Sequence, residues 1–124
     1  IEQSVLRTIA AFLNSQGGTL LIGISDTGSI GGIERDHFQS NDKFNLHFAN
    51  LISEHLGNQN LPHMHFELIQ IENKHIFKVD CHKSDTPVFL IFHKIEEFHI
   101  RTGAATTQLT GKKLLDYINN KFGK

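Results

Sequence analysis

Apolar residues recur at helical spacing from the start of the chain. Ile1, Val5, Leu6, Ile9, Ala10 and Leu13 fall on one side, with Glu2, Gln3, Arg7 and Asn14 on the other. The spacing predicts a helix to about Ser15 or Gln16, closed by Gly17 as a left-handed cap. Thr19 to Ile24 then predicts a short buried strand, packed close to the helix by the short link. Asp26-Thr27-Gly28-Ser29 reads as a turn, because Asp bonds its own downstream backbone and Gly supplies positive φ. A second short extended piece, Ile30 to Ile33, follows.

Glu34 to Lys43 is polar and reads as loop, with Ser40, Asn41 or Asp42 able to cap a helix. Phe44, Phe48, Leu51, Ile52, His55 and Leu56 make one face of that helix, and Gly57 stops it. Met64, Phe66 and Leu68 alternate before Ile69 and Ile71 switch face, which predicts a bulge or a strand covered on both sides. Phe77, Val79 and Cys81 alternate with Lys78, Asp80 and His82, giving an antiparallel partner strand across a turn at Glu72-Asn73-Lys74. Val88 to Phe92 is unbroken apolar and predicts an interior strand. Phe98 and Ile100 face inward, with Glu97, His99 and Arg101 on the opposite face. Thr102 to Gln108 is small and polar. Thr110 is placed to cap a last helix bearing Leu114, Leu115, Ile118 and Phe122, with Leu109 and Leu114 as a hydrophobic staple. The element order predicts an α+β domain with a mixed, largely antiparallel sheet and three main helices.

Composition narrows this. A chain of 124 residues makes one domain and needs no metal or disulfide to fold. It starts at Ile1 in mid-helix pattern without Met, which reads as a piece of a larger protein. The single Cys81 cannot form an internal disulfide and points to the cytoplasm. Its place in the alternation makes it a buried, inert thiol. No apolar run approaches a membrane span. A net charge of −1 argues against a surface that is basic all over.

Two loops carry candidate chemistry. The glycine turn with Asp26, Gly28, Gly31 and Gly32 is either a hairpin that needs glycine or a backbone nest for a phosphate. It has no Walker A pattern. Arg101 to Thr107 is either a phosphate cradle of guanidinium, N–H groups and hydroxyls or a polar connection with a solvated Arg. Lys112 and Lys113 stand in the first turn of the last helix, where the dipole already favours anions. His63-x-His65 puts two imidazoles on one side of a strand, but nothing completes a metal set at a telling spacing, and no Gly-x-Ser-x-Gly elbow occurs. No cofactor or metal is expected.

The run Ala10-Ala11-Phe12-Leu13-Asn14-Ser15-Gln16-Gly17-Gly18-Thr19-Leu20-Leu21-Ile22-Gly23-Ile24-Ser25-Asp26-Thr27-Gly28 resembles the first conserved block of the Schlafen Alba-like domain. Ile30-Gly31-Gly32-Ile33, Thr86-Pro87-Val88-Phe89-Leu90 and Phe98-His99-Ile100-Arg101-Thr102-Gly103-Ala104-Ala105-Thr106 resemble its next three segments, in the same order. Leu109 to Ile118 resembles its closing helix, so the resemblance covers nearly the whole chain. The resemblance implies a DNA-binding module of a transcriptional regulator. It also implies a strand before the first helix that is missing from this chain. Ala104, Ala105 and Thr107 stand where the family often carries Asn and Arg.

Together these readings give a non-catalytic nucleic-acid-binding module, with Lys94, His99, Arg101, Thr102, Gly103, Thr106, Lys112 and Lys113 as a local positive patch. The partner is DNA or RNA, and a homo-oligomer is among the options. One alternative is a Schlafen-type metal-dependent RNA nuclease built on Asp26 with Glu34 or Asp36. The other is a sensor domain that binds a nucleotide or a protein.

Overall fold

The computed structural model describes residues 2–24, 29–30, 33–34, 41–71 and 74–123. In chain order the elements are α1 (Glu2–Leu13), β1 (Gly18–Ile24), β2 (Ser29–Ile30), β3 (Ile33–Glu34) and α2 (Asn41–His55). A 3-10 helix (Asn58–His63), β4 (Met64–Ile71), β5 (Lys74–Cys81), β6 (Leu90–Phe92), β7 (Ile95–Thr102), β8 (Ala105–Leu109) and α3 (Gly111–Lys121) complete the series. The class is α+β. The described strands form two three-stranded sheets, ordered β1-β5-β4 and β6-β7-β8, and a short β2-β3 pair. Every described pairing is antiparallel.

The alternation along β5 decides which side of the first sheet is covered. Phe77, Val79 and Cys81 are buried, and the register places Leu20 and Ile22 of β1 and Met64, Phe66 and Leu68 of β4 beside them. Helices α1 and α2 close this face with Leu6, Ile9, Ala10, Leu13, Phe48 and Ile52. Phe48 sets its ring edge-on to Phe66 at 5.2 Å and tilted to Phe77 at 4.7 Å, arrangements that suit the aromatic quadrupole. Burial pushes the Cys81 thiol up to about 12, so the buried thiol expected from the alternation is present.

Three local expectations are corrected. The β4–β5 register runs without a break from Met64↔Cys81 to Ile71↔Lys74, so the strand has no bulge; Ile69 simply lies opposite Ile76. Val88 to Phe92 is not an interior strand. Only Leu90–Phe92 pairs, at the edge of its sheet, and Ile91 is 44% exposed. The apolar run serves tertiary contacts instead. Val88 and Leu90 join the core, Phe89 meets Phe98, and Phe92 stacks on His55 at 4.0 Å.

The third correction bears on the site. Thr102 to Gln108 is not a loop but the turn and return strand of a tight hairpin, with Thr102 opposite Ala105 and Phe98 opposite Leu109. Gly103 supplies the left-handed residue at its tip, with φ 62°. Thr110 stands at the start of α3 as expected, yet its hydroxyl makes no capping hydrogen bond. The readings on Ser40 and the Glu72–Asn73 turn lie outside the described residues, and Asn41 and Asp42 fall within α2. No described helix is long and apolar enough to cross a membrane.

Candidate nucleic-acid interface

The site begins where α1 ends. Asn14 follows four buried residues, Ala10 to Leu13, and is itself wholly buried. Its Nδ2 donates to the carbonyls of Val88 at 2.8 Å and His99 at 3.0 Å, and its Oδ1 accepts the Val88 N–H at 2.8 Å. Tyr117 of α3 donates its hydroxyl to the Asn14 carbonyl at 2.6 Å. One residue on, Ser15 Oγ accepts the backbone N–H of Arg101 at 2.9 Å. The helix terminus therefore binds β7 at two successive inward positions, so Asn14 lies inside the domain and not on the exterior side of α1.

A second tie lies nearer the middle of α1. Arg7 donates Nε to Glu97 Oε1 at 2.9 Å and Nη2 to Oε2 at 3.2 Å, a bidentate pair. His99 Nε2 also meets Glu97 Oε1 at 2.9 Å. The hydrogen bonds from Arg7, and next that from His99, hold the Glu97 carboxyl below the usual carboxylate range. The Glu97 side chain is 11% exposed and the His99 side chain 5%. His99, expected on an open face, is thus covered by α1 and removed from any phosphate contact. Its Nδ1 has no partner among the described residues.

The depressed Glu97 value fixes a sign. The carboxylate form is favoured in the folded state, so its stabilisation is present above the unfolded value, near 4.3 for Glu, and is lost as pH falls through the lower folded value. Glu97→Gln is expected to flatten the acid side of the stability curve. Urea unfolding of both proteins at several pH values below 5 checks this; parallel curves would contradict it.

Past the buried part of β7, the chain emerges at Arg101. Its Nη1 donates to Thr106 Oγ1 at 2.7 Å, directly across the hairpin. The guanidinium carbon lies 5.2 Å from the centre of the Phe12 ring, a cation–π distance. Thr102 and Thr107 share a hydrogen bond between their hydroxyls at 2.8 Å. Among the described residues no carboxylate pairs with Arg101. Beside it opens a cleft of about 410 Å³, lined by Phe12, Ser15, Gln16, Gly17, Gly18, Thr19, Arg101 and Gly103. The double glycine is required by packing. Gly17 has φ 79°, and a Cβ on Gly18 comes within 2.7 Å of the Phe12 ring that carries the guanidinium.

The expected positive patch is divided. Arg101, Thr102, Gly103 and Thr106 meet at the hairpin tip. Lys94 lies in the β6–β7 turn, at φ 66°, seven residues back along β7 and so about 23 Å away. Lys112 and Lys113 are exposed on the first turn of α3, which starts from the Phe98–Leu109 end of the hairpin, and Lys112 lies 3.9 Å from Asp116. Asp26, Gly28, Gly31 and Gly32 lie outside the described residues, as do the side chains of Glu34 and Asp36. No group of three or more His, Cys, Asp or Glu that could hold a metal occurs among the described residues.

A family model described as Schlafen, AlbA_2 matches residues 1–110, ending just before α3. No curated protein and no solved structure matches the chain. The matched span holds α1, the double glycine, β7 and the hairpin bearing Arg101, and the chain belongs to the Schlafen, AlbA_2 family.

Proposed function

We propose that the domain is a nucleic-acid-binding module that contacts backbone phosphate at the Arg101–Thr106 hairpin and serves as the DNA-binding part of a cytoplasmic transcriptional regulator, without catalysing a reaction. The family supports an association with nucleic acid. The observation that carries the reading is the state of Arg101. Its guanidinium is oriented by Thr106 and Phe12, borders an open cleft and has no ion pair among the described residues. An oriented guanidinium with unused donors suits a phosphate, which it can engage through two parallel hydrogen bonds. The buried, unpaired Cys81 is in keeping with the cytoplasm.

Phosphate contacts fix position and carry no sequence information, so binding is expected to be weak, sequence-tolerant and salt-sensitive. Filter binding at low salt tests the reading. Arg101→Ala should weaken retention about tenfold or more, since hydrogen bonds to charged groups contribute about 1.5–3 kcal/mol. Absence of wild-type binding, or an unchanged affinity in a variant that melts normally, would sink it.

A further inference from the structure

The wall of the cleft at Gly17 is backed by the backbone of a cation-bearing segment, His82-Lys83, that the hydrophobic pattern marks only as the end of a strand and a loop. Gly17 lines the cleft with Arg101 and also abuts the chain just past β5. A Cβ built on Gly17 lies 3.3 Å from both His82 Cα and Lys83 N. The segment is fixed there at both ends. The His82 N–H donates to the His63 carbonyl at 2.8 Å, and the Ser84 N–H donates to the Leu13 carbonyl at 2.7 Å. His82 and Lys83 are both exposed, and neither forms an ion pair among the described residues.

Nearby acids do not claim Lys83. Asp80 accepts the Thr19 hydroxyl at 2.6 Å and lies 3.8 Å from Lys78 Nζ. Asp85 is exposed at the centre of a turn in which Ser84 Oγ bonds both the carbonyl and the N–H of Thr86, and it forms no ion pair among the described residues.

We infer that Lys83, with His82 as a neighbouring donor, is the second half of the phosphate site, and that the cleft seats the backbone of a single nucleic-acid strand running between the hairpin and residues 82–83. This rests on the nucleic-acid reading above. Size and charge favour one strand. The cleft has the volume of a small-molecule pocket, at about 410 Å³. A duplex presents charge along two strands and is held by many cations at once. Here Arg101 lines the cleft, and Lys83 is a described cation whose backbone abuts the cleft wall at Gly17. The Asp80 carboxylate bonded to the lining Thr19 is offset by Lys78.

Fluorescence anisotropy of a labelled single-stranded DNA of mixed sequence, read across a salt series, tests this. Each phosphate neutralised on a single strand contributes about 0.7 to the slope of log affinity against log salt, so wild type should show about −1.4 and Lys83→Gln about −0.7. At low salt Lys83→Gln should bind about threefold to tenfold more weakly. Lys121→Gln, in the last turn of α3, controls for net charge and should leave the slope unchanged. Unlabelled duplex should compete less well than unlabelled single strand. An unchanged slope in Lys83→Gln, with binding still lost in Arg101→Ala, overturns the inference and leaves the nucleic-acid reading standing. Equal competition by duplex overturns the single-strand assignment. No binding by wild type ends both.

Discussion

Asn14→Ala is expected to lower the melting temperature by about 10–20 °C. The substitution removes both donors of Nδ2 and the acceptor Oδ1, and so strands the Val88 carbonyl, the Val88 N–H and the His99 carbonyl. Asn14 is fully buried, so water cannot readily replace the lost partners. A buried donor or acceptor left unsatisfied costs about 1–3 kcal/mol. A total near 4 kcal/mol is a large part of the roughly 5–15 kcal/mol that holds a domain together, and each kcal/mol shifts the melt of a domain this size by about 3–5 °C. Asn14→Asp discriminates further. It keeps an acceptor for Val88 N–H but loses both donations and buries a charge, so it should melt no higher than Asn14→Ala. Circular dichroism melts of the three proteins decide the matter. A drop of less than about 3 °C would show that Asn14 does not join α1 to β7 in solution.

Gly17→Ala is the second large effect, at about 2–4 kcal/mol of lost stability by the cost of a left-handed backbone plus a steric clash. Gly17 has φ 79°, and its added Cβ would lie 2.5 Å from the Cys81 carbonyl oxygen. That oxygen belongs to backbone at the end of β5, between β1 and β4, and cannot swing aside as a side chain would. Gly103→Ala isolates the two parts. Gly103 also has positive φ, at 62°, but an added Cβ meets nothing within 4 Å. It should lose only the backbone part, about 1 kcal/mol. Urea unfolding of both variants measures the difference, and equal losses would refute the close approach at Gly17.

Much of the fold was legible because period-two burial leaves a direct trace. Phe77, Val79 and Cys81 announced both the inner face of β5 and its antiparallel partner. The candidate site was legible only in part. Arg101, Thr102, Gly103 and Thr106 were picked out by residue type and by the family resemblance, and the hairpin brings them together. Reading them as a loop failed because Ala105–Leu109 carries little apolar signal; its pairing depends on β7, which supplies the buried Phe98. His99 was placed outside because alternation gives Phe98 the inside, whereas α1 covers one face of β7 and Phe98 meets Phe89 and Tyr117 on the other. Asn14 left no periodic trace, since its partners are 74 and 85 residues away and are backbone atoms. The available sign was its position directly after four small or apolar residues and before Ser15 and the double glycine. Lys83 was missed for a similar reason, because only the fold brings it beside Gly17.

The join between α1 and β7 also sets when the site can exist. Arg7 reaches 90 residues forward to Glu97, Asn14 reaches 85 to His99, and Ser15 reaches 86 to Arg101. Contacts of that span close long loops and form late, after the local β4–β5 hairpin has had time to pair. During synthesis the apolar side of the first helix can pack once β5 has followed, but Arg7, Asn14 and Ser15 must wait for β7. The cleft is therefore a last-formed feature, present in a completed domain and absent from any truncated product that stops short of β7.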